Sequence, residues 1–302
     1  MSDLYRRQWV VQVGTIRIEG LGAGDGQERA GLDCAFEVNA TVQREPNTAS
    51  IKIWNLSPEH RRVLESSATL SVRIEAGYLG ATSVLFDGDV RVSESRRRAA
   101  LHRQASGRLG RLGQIDDLVD VVTEIEAEDG GTAWRTATVQ QSFGVETPIS
   151  TVLAACVDAL GIGRGNLADF DATTAFAGGD VRTYLEGTVL SGQAHHELDR
   201  IVRSAGLTWS VQKGALQLRR GSAALAMTAV VLSPGSGLLG SPSVGADGYV
   251  TVISLLNGTL SPGRPVVIRS REVQGSYAVR RVRHVGDTAG QDWSSELTLE
   301  GR

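Results

Sequence analysis

The sequence is poor in cysteine, methionine and aromatic residues. Two cysteines and two methionines occur among its 302 residues, and Phe, Trp and Tyr together make up 5%. Two cysteines are too few for a disulfide framework, and Cys34 and Cys156 are not spaced as a metal-binding pair. We therefore expect both to be buried, reduced thiols.

The chain also lacks a long apolar run and a charge excess of either sign. The apolar part of the opening stretch, MSDLYRRQWVVQVG, is too short for a signal peptide, and no segment approaches the length of a membrane span. The 31 basic and 34 acidic residues leave a net charge of −3, which gives no global field for attracting DNA or a membrane surface. The sequence predicts a protein that folds in the cytosol without a membrane partner.

What the sequence has is glycine, 36 in all, and many short alternating runs. WVVQVG, TIRIEG, CAFEVNATVQ, ASIKIWN and LSVRIEAGY alternate apolar and polar residues and end at Gly, Asn or Pro, which predicts an antiparallel sheet or barrel. Ser57-Pro58-Glu59 predicts a short helix to about Glu65, because Ser caps, Pro fits the first turn and Glu suits the positive end. SVLFDGDVRVSES predicts a hairpin turning at Asp87-Gly88, and DLVDVVTEIEAEDGG predicts a long strand.

The pattern changes after Phe143. TPISTVLAACVDALGIG and SGQAHHELDRIVRSAG have apolar residues at helical spacing, and a glycine follows each predicted helix. LTWSVQKGALQLRRG predicts a hairpin turning at Lys213-Gly214. Two helices and a hairpin predict a small α+β unit.

The last eighty residues return to strands, such as YVTVISLLNG, RPVVIRS and SYAVRRVRHVGD, and predict a second β-barrel or sandwich. Pro262-Gly263 suits a type II turn, and Asn257-Gly258 suits a primed hairpin turn. The predicted fold class is therefore mainly β with an α+β segment. The predicted domains are residues 1–143, 144–221 and 222–302.

No pattern in the sequence predicts catalysis, a metal site or a cofactor. GLGAGDG at 20–26 lacks the Lys-Ser/Thr of a phosphate-binding loop, and GIGRG at 161–165 follows a helix instead of a strand. His195 and His196 are adjacent and cannot share one metal on a helix, and His195 with Asp199 has no third ligand nearby in sequence. The histidines are predicted to lie on a solvated helix face.

Two charged segments have opposite sign. SESRRRAALHRQASGR collects Arg96, Arg97, Arg98, Arg103 and Arg108 with His102, but no aromatic residue is interleaved for base stacking. This favours a solvated hairpin or an arginine-rich subunit contact over a nucleic-acid site. In TEIEAE, the side chains of Glu124, Glu126 and Glu128 share one face of a strand, which must meet solvent on an outer surface or in a wide lumen.

Three segments of the sequence, in chain order, are IKIWNLSPEHR, EDGGTAWRTATVQQSFGVETPISTVL and LLNGTLSPGRPVVIRSREVQGSYAVRRVRHVGDTAGQDWSSELTLEG. Together they resemble the baseplate hub proteins of contractile-tailed bacteriophages. The likeness covers nearly the whole chain. Asn257-Gly258 departs from the pattern, in which Asn-Pro is expected.

The resemblance implies a homotrimer whose subunits each contribute two tube-like antiparallel β-barrel domains around the α+β unit. Three chains would then form a ring of six barrels joining a hexameric tail tube to a trimeric central spike, in contact with other baseplate proteins. The expected location is the virion tail baseplate, assembled in the host cytoplasm. Such an adaptor needs no active site and no cofactor, and it binds no specific nucleic acid although DNA can pass through its lumen.

Within this interpretation, Trp54 is predicted to be a core or subunit-interface anchor, and Glu124, Glu126 and Glu128 are predicted to line the channel, where like charge would keep DNA from binding. Two alternatives remain. One is a tail-tip protein that binds cell-wall glycan or degrades peptidoglycan. The small number of aromatic residues and the lack of an obvious carboxylate pair count against it. The other is a nucleic-acid-binding β-barrel protein that uses the arginine cluster.

Overall fold

The computed structural model describes residues 6–21, 30–66, 70–99, 119–170, 183–184 and 186–301. The first part of the chain contains eight strands and one helix. They are β1 (Arg7–Val13), β2 (Ile16–Leu21), β3 (Ala30–Gly31), β4 (Cys34–Thr41), β5 (Thr48–Trp54), α1 (Pro58–Ser66), β6 (Ser71–Tyr78), β7 (Ala81–Ala99) and β8 (Val119–Glu128).

Among its described residues, the middle part contains three helices, a 3-10 turn at Leu167–Phe170 and short strands. They are α2 (Gly131–Thr136), β9 (Thr138–Phe143), β10 (Thr147–Pro148), α3 (Ile149–Leu160), β11 (Thr183–Tyr184), β12 (Thr188–Gln193), α4 (Ala194–Ser204), β13 (Thr208–Gln212) and β14 (Ala215–Arg219). The last part is formed by β15 (Val230–Leu232), β16 (Leu238–Val244), β17 (Val250–Leu255), β18 (Pro265–Arg269), β19 (Gln274–Asp287) and β20 (Trp293–Gly301).

The strands of the first and last parts form one 14-stranded sheet. Its order is β16-β17-β20-β19-β4-β5-β8-β7-β6-β1-β2-β3, and β18 and β15 continue from β19. All pairs are antiparallel except β15 with β18. The two parts join where β19 pairs with β4, from Arg281 opposite Thr41 to Asp287 opposite Ala35. The predicted mainly β fold is confirmed, but the strand order is open and the described residues form no closed barrel.

Three apolar cores lie within this arrangement. One lies against the strands of the first part and includes Trp9, Ile51 and Trp293. Another lies against the strands of the last part. The third belongs to the middle part, from α2 to β14, which we call the middle unit. It holds α3 and α4 together through Leu153, Leu198 and their neighbours. Since β9 pairs with β12, Thr138–Phe143 lies beside the middle unit, and the predicted domain limits stay predictions.

The predicted helices are confirmed, and local signals explain their ends. Ser57 Oγ accepts a hydrogen bond from the backbone N–H of His60 at 3.2 Å, which caps α1. Gly161 ends α3 in the left-handed region, with φ 65°. The predicted turn at Lys213-Gly214 is also confirmed, since it joins β13 to β14 with φ of 53° and 73°.

Two turn predictions are wrong. Asp87-Gly88 lies inside β7, and the hairpin turns earlier, at Leu79-Gly80. Gly88 is glycine because a Cβ there would lie 2.5 Å from the carbonyl oxygen of Glu128. Asn257-Gly258 is not a primed turn, because Gly258 has no positive φ and the Asn257 side chain instead accepts a hydrogen bond from the N–H of Thr259.

Candidate interaction surfaces

The side chains of the predicted acidic row lie on the polar side of the central strands, opposite the apolar core. Ile125 and Ala127 of β8 are buried, whereas Glu126 is exposed and Glu124 and Glu128 are partly exposed. We call this side the polar sheet face. Its charged members on neighbouring strands include Glu124, Glu126, Glu128, Glu94, Lys52, Glu37, Arg283 and Glu296.

Cations accompany most of the carboxylates on the polar sheet face. Lys52 Nζ lies 3.7 Å from Glu124 Oε1. Glu128 is paired with two arginines, with Arg91 Nη1 at 2.8 Å and Arg135 Nη1 at 2.6 Å. The predicted row is therefore partly neutralised, and Glu126 is its exposed member. Sequence alone missed this because the compensating residues lie on other elements.

Arg283 links the two halves of the sheet on the same face. It donates to Glu37 Oε2 at 2.8 Å and to Glu296 Oε1 at 3.0 Å. The hydrogen bond from Arg283, followed by one from Asn39, lowers the pKa of Glu37 to about 2. Glu37 is therefore ionised at neutral pH, where it keeps its bridge to Arg283.

Trp54 ends β5 on the side of Lys52 and Glu124, and it is partly buried. The chain turns sharply after it because Asn55 adopts a left-handed conformation with φ 57°. The side chain of Asn55 makes two hydrogen bonds: Nδ2 donates to Asp120 Oδ1 at 2.9 Å, and Oδ1 accepts from the backbone N–H of Val121 at 3.1 Å. The backbone N–H of Asn55 also donates to the carbonyl oxygen of Val121 at 2.8 Å. Asn55, which sequence reasoning did not single out, therefore forms the corner. The anchoring function of Trp54 stays a prediction.

A buried polar network seats the middle unit on the sheet. The side chain of Asn47 donates to the carbonyl oxygen of Val211 at 2.7 Å, and Gln212 Nε2 donates to the carbonyl oxygen of Thr41 at 2.7 Å. Asp129 Oδ1 accepts from the N–H of Gly214 at 2.9 Å, and Lys213 Nζ donates to the carbonyl oxygen of Gly258 at 2.7 Å. The β13–β14 turn is thus fastened at several points.

Burial shifts the pKa values of three groups at this junction. It raises the pKa of Asp129 from 3.8 to about 7, against the effect of the hydrogen bonds from Gly214 and Asn47. It lowers the pKa of Lys213 to about 8 and that of His284, with help from the nearby Lys213, to about 3. His284 is neutral and shares a hydrogen bond of 2.8 Å with Ser295 Oγ.

Replacing Asp129 by asparagine is expected to remove one component of the pH dependence of stability. Because the folded pKa lies above the unfolded one, the folded state holds more protons between pH 4 and 7, and the free energy of unfolding falls as pH rises through this window. The stability of wild type relative to Asp129→Asn should therefore drop by about 2 kcal/mol between pH 5 and 8 in urea unfolding. Lys213 and His284 titrate in both proteins, so their contributions cancel in the difference between the two free energies of unfolding. A difference that stays constant from pH 5 to 8 would contradict the assignment to Asp129.

The two adjacent histidines considered as metal ligands lie in different environments. His196 is exposed, but His195 is partly buried, and its ring stacks on Trp134 at 4.7 Å between centroids. Burial, followed by the neighbouring His196, lowers the pKa of His195. Among the described residues, no group of three or more His, Cys, Asp or Glu side chains is placed to hold a metal ion. Both cysteines are buried and free, as predicted.

The arginine cluster is only partly described. Arg96, Arg97 and Arg98 belong to β7, and Arg96 Nε donates to Glu94 Oε2 at 3.0 Å. His102, Arg103 and Arg108 lie outside the described residues. No helix in the described part of the chain is long and apolar enough to span a membrane.

Neither a protein-family model nor a curated protein matches the sequence. Solved structures do match, and over nearly the full chain. A 43 kDa tail protein of prophage MuSo2 from Shewanella oneidensis is 8% identical with a TM-score of 0.59, over 98% of this chain and 97% of its own. A tail protein from Neisseria meningitidis MC58 is 9% identical with a TM-score of 0.56, over 96% of each chain.

A third similar structure is the E. coli c3393 protein, described as a component of the type VI secretion system with structural similarity to T4 bacteriophage tail proteins gp27 and gp5. It is 10% identical with a TM-score of 0.53, over 97% of this chain and 76% of its own. At such identities the likeness concerns the fold. The chain thus has the fold of phage tail proteins, and the structural likeness predicted from its three sequence segments is confirmed.

Proposed function

We propose that the protein is a structural baseplate hub of a phage tail or a related contractile particle. The observation that supports this best is the fold shared with two tail proteins over at least 96% of the chain. In this proposal three chains form an adaptor between the hexameric tail tube and the trimeric central spike. The two halves of the large sheet would supply the two tube-like domains, and three subunits would supply six.

The mass of the purified protein in solution tests the trimer. Light scattering is expected to give close to three times the chain mass of 32.1 kDa. Closed threefold rings arise when one surface of a subunit binds a different surface of the next copy. The proposal would be overturned if the protein, at micromolar concentration and in the presence of tube and spike proteins, still had the mass of a single chain.

The polar sheet face is the surface we propose to line the channel. Glu126 is exposed there, and the cations beside Glu124 and Glu128 leave a surface of mixed charge. Such a wall neither holds the DNA phosphates nor strongly repels them, which suits DNA passage.

Reversing the exposed charge is expected to slow DNA passage. Glu126→Lys adds a cation beside Lys52 and Arg91 and should make particles eject DNA more slowly, with the delay shrinking as salt is raised. Glu65→Lys, on the exposed end of α1, carries the same charge change away from this face and should leave ejection unchanged. Equal ejection rates for both variants would remove Glu126 from the channel wall.

A tail-tip protein acting on cell-wall glycan remains the alternative. A sugar-binding site needs a free aromatic face. The ring of Trp134 is stacked against His195 and Trp209, which leaves little free face for a sugar. Purified protein is expected to leave the turbidity of a cell-wall suspension unchanged. Clearing would favour the alternative.

A further inference from the structure

We propose that a cleft between the middle unit and the sheet binds an extended acidic peptide segment of a partner protein. The cleft measures about 540 Å³ and lies between the β4–β5 loop, α4, the end of β14 and the strands β19 and β20. This volume is in the usual range for ligand sites. Its charged lining residues are Arg44, Glu45, Asp199, Arg203, Arg219, Arg280 and Glu300.

Each of two carboxylates at the base of the cleft is shared by two arginines. Asp199 Oδ2 lies 2.8 Å from Arg44 Nη1 and 3.0 Å from Arg203 Nε. The indole N–H of Trp209 also donates to Asp199, at 3.3 Å. One carboxylate therefore balances two guanidinium groups, and one positive charge is left over.

Glu300, near the end of β20, repeats this arrangement. Its Oε1 lies 2.6 Å from Arg219 Nη2, and its Oε2 lies 3.7 Å from Arg280 Nη1. The guanidinium of Arg280 also lies 4.7 Å from the ring centroid of Tyr249, which holds it at the rim. A second positive charge is left over here.

The charge that faces solvent is mainly positive. The side chains of Asp199 and Glu300 are 19% and 10% exposed, whereas those of Arg44 and Arg203 are 48% and 65% exposed. Each guanidinium has five N–H donors, and the contacts to Asp199 use one nitrogen from each arginine. Glu45 subtracts one charge at the rim, so the seven charged groups keep a net charge of +1 in a chain whose total is −3.

These features favour a carboxylate-bearing peptide over a nucleic acid. Arginine forks bind carboxylates in a defined, bidentate geometry, and the groups here converge on one cleft instead of following a stripe along the surface. The aromatic ring in the lining, Trp209, is only 4% exposed and offers no face to a base. An acidic strand or terminus of a neighbouring protein fits both the size and the charge.

Fluorescence anisotropy with a fluorescein-labelled hexaglutamate peptide tests the proposal. Wild-type protein should bind this peptide, and not the matched hexaglutamine peptide, with an affinity that falls as salt is raised. Arg44→Gln with Arg203→Gln should weaken binding at least about tenfold, because two charged donors are lost. Arg164→Gln is the matched control, since Arg164 is also exposed and paired with a carboxylate, Asp158, on the same unit.

A second variant tests whether the positive charge of the cleft drives binding, without removing any contact made by Asp199 or Glu300. Glu45→Gln removes the negative rim charge and should tighten hexaglutamate binding a few-fold. Melting temperatures verify that each variant is folded. Equal affinities for wild type and the double arginine variant would overturn the proposal. So would tighter binding of a labelled oligothymidylate than of hexaglutamate, with the same loss in the double variant, because the cleft would then be a phosphate site.

Discussion

Replacing Glu300 by alanine is expected to lower the free energy of unfolding by about 3–5 kcal/mol, because Arg219 is left buried without its counter-charge. The two side chains are 10% and 3% exposed, and their closest atoms lie 2.6 Å apart. The pair fastens the end of β14, in the middle unit, to the end of β20, in the sheet. Urea unfolding of wild type and variant at pH 7 measures the loss.

Two further variants separate this effect from ordinary truncation. Arg219→Met with Glu300→Leu removes both charges and should recover most of the stability, because apolar side chains suit a buried site. Asp158→Ala breaks an ion pair of 2.8 Å in which both side chains are more than half exposed. It should cost less than about 1 kcal/mol. A double variant as unstable as Glu300→Ala would show that the loss is not one of charge burial.

Replacing Trp9 by alanine is expected to cost about 3–5 kcal/mol, since the ring is fully buried in the core of the first part. Trp9 lies opposite Gly20 on β2, and a Cβ on Gly20 would come within 2.7 Å of the indole nitrogen. The ring therefore fills the space that this glycine leaves open. Thermal and urea unfolding measure the loss, and Trp9→Phe, which keeps an aromatic ring, should cost distinctly less.

Trp54→Ala provides the matched comparison. Trp54 is partly buried on the polar side of the sheet and lies outside the core that contains Trp9. Its removal should therefore destabilise the subunit less than Trp9→Ala does. Trp54 is predicted to be a core or subunit-interface anchor. If it anchors a subunit interface, Trp54→Ala weakens the trimer while Trp9→Phe leaves it intact. Unchanged trimer dissociation on dilution of Trp54→Ala would exclude the anchor.

Local signals in the sequence predicted most elements. Alternation located β1, β2, β4, β5, β6 and β8, and the caps at Ser57 and Gly161 located the start of α1 and the end of α3. The misplaced turn at Asp87-Gly88 shows the limit of such signals. In the sequence, Gly88 predicts a hairpin turn. In the structure, it permits the close approach of Glu128 on another strand.

Alternation with a period of two residues was enough to predict the mainly β character and the shared face of Glu124, Glu126 and Glu128, and spacing with a period of 3.6 residues was enough to predict α3 and α4. The distribution of charge, in contrast, depends on how the folded chain brings distant residues together. The partners of Glu37 and Glu300 are Arg283 and Arg219, which lie 246 and 81 residues away along the chain. The single sheet and the cleft also depend on such distant pairings, which local periodicity does not encode.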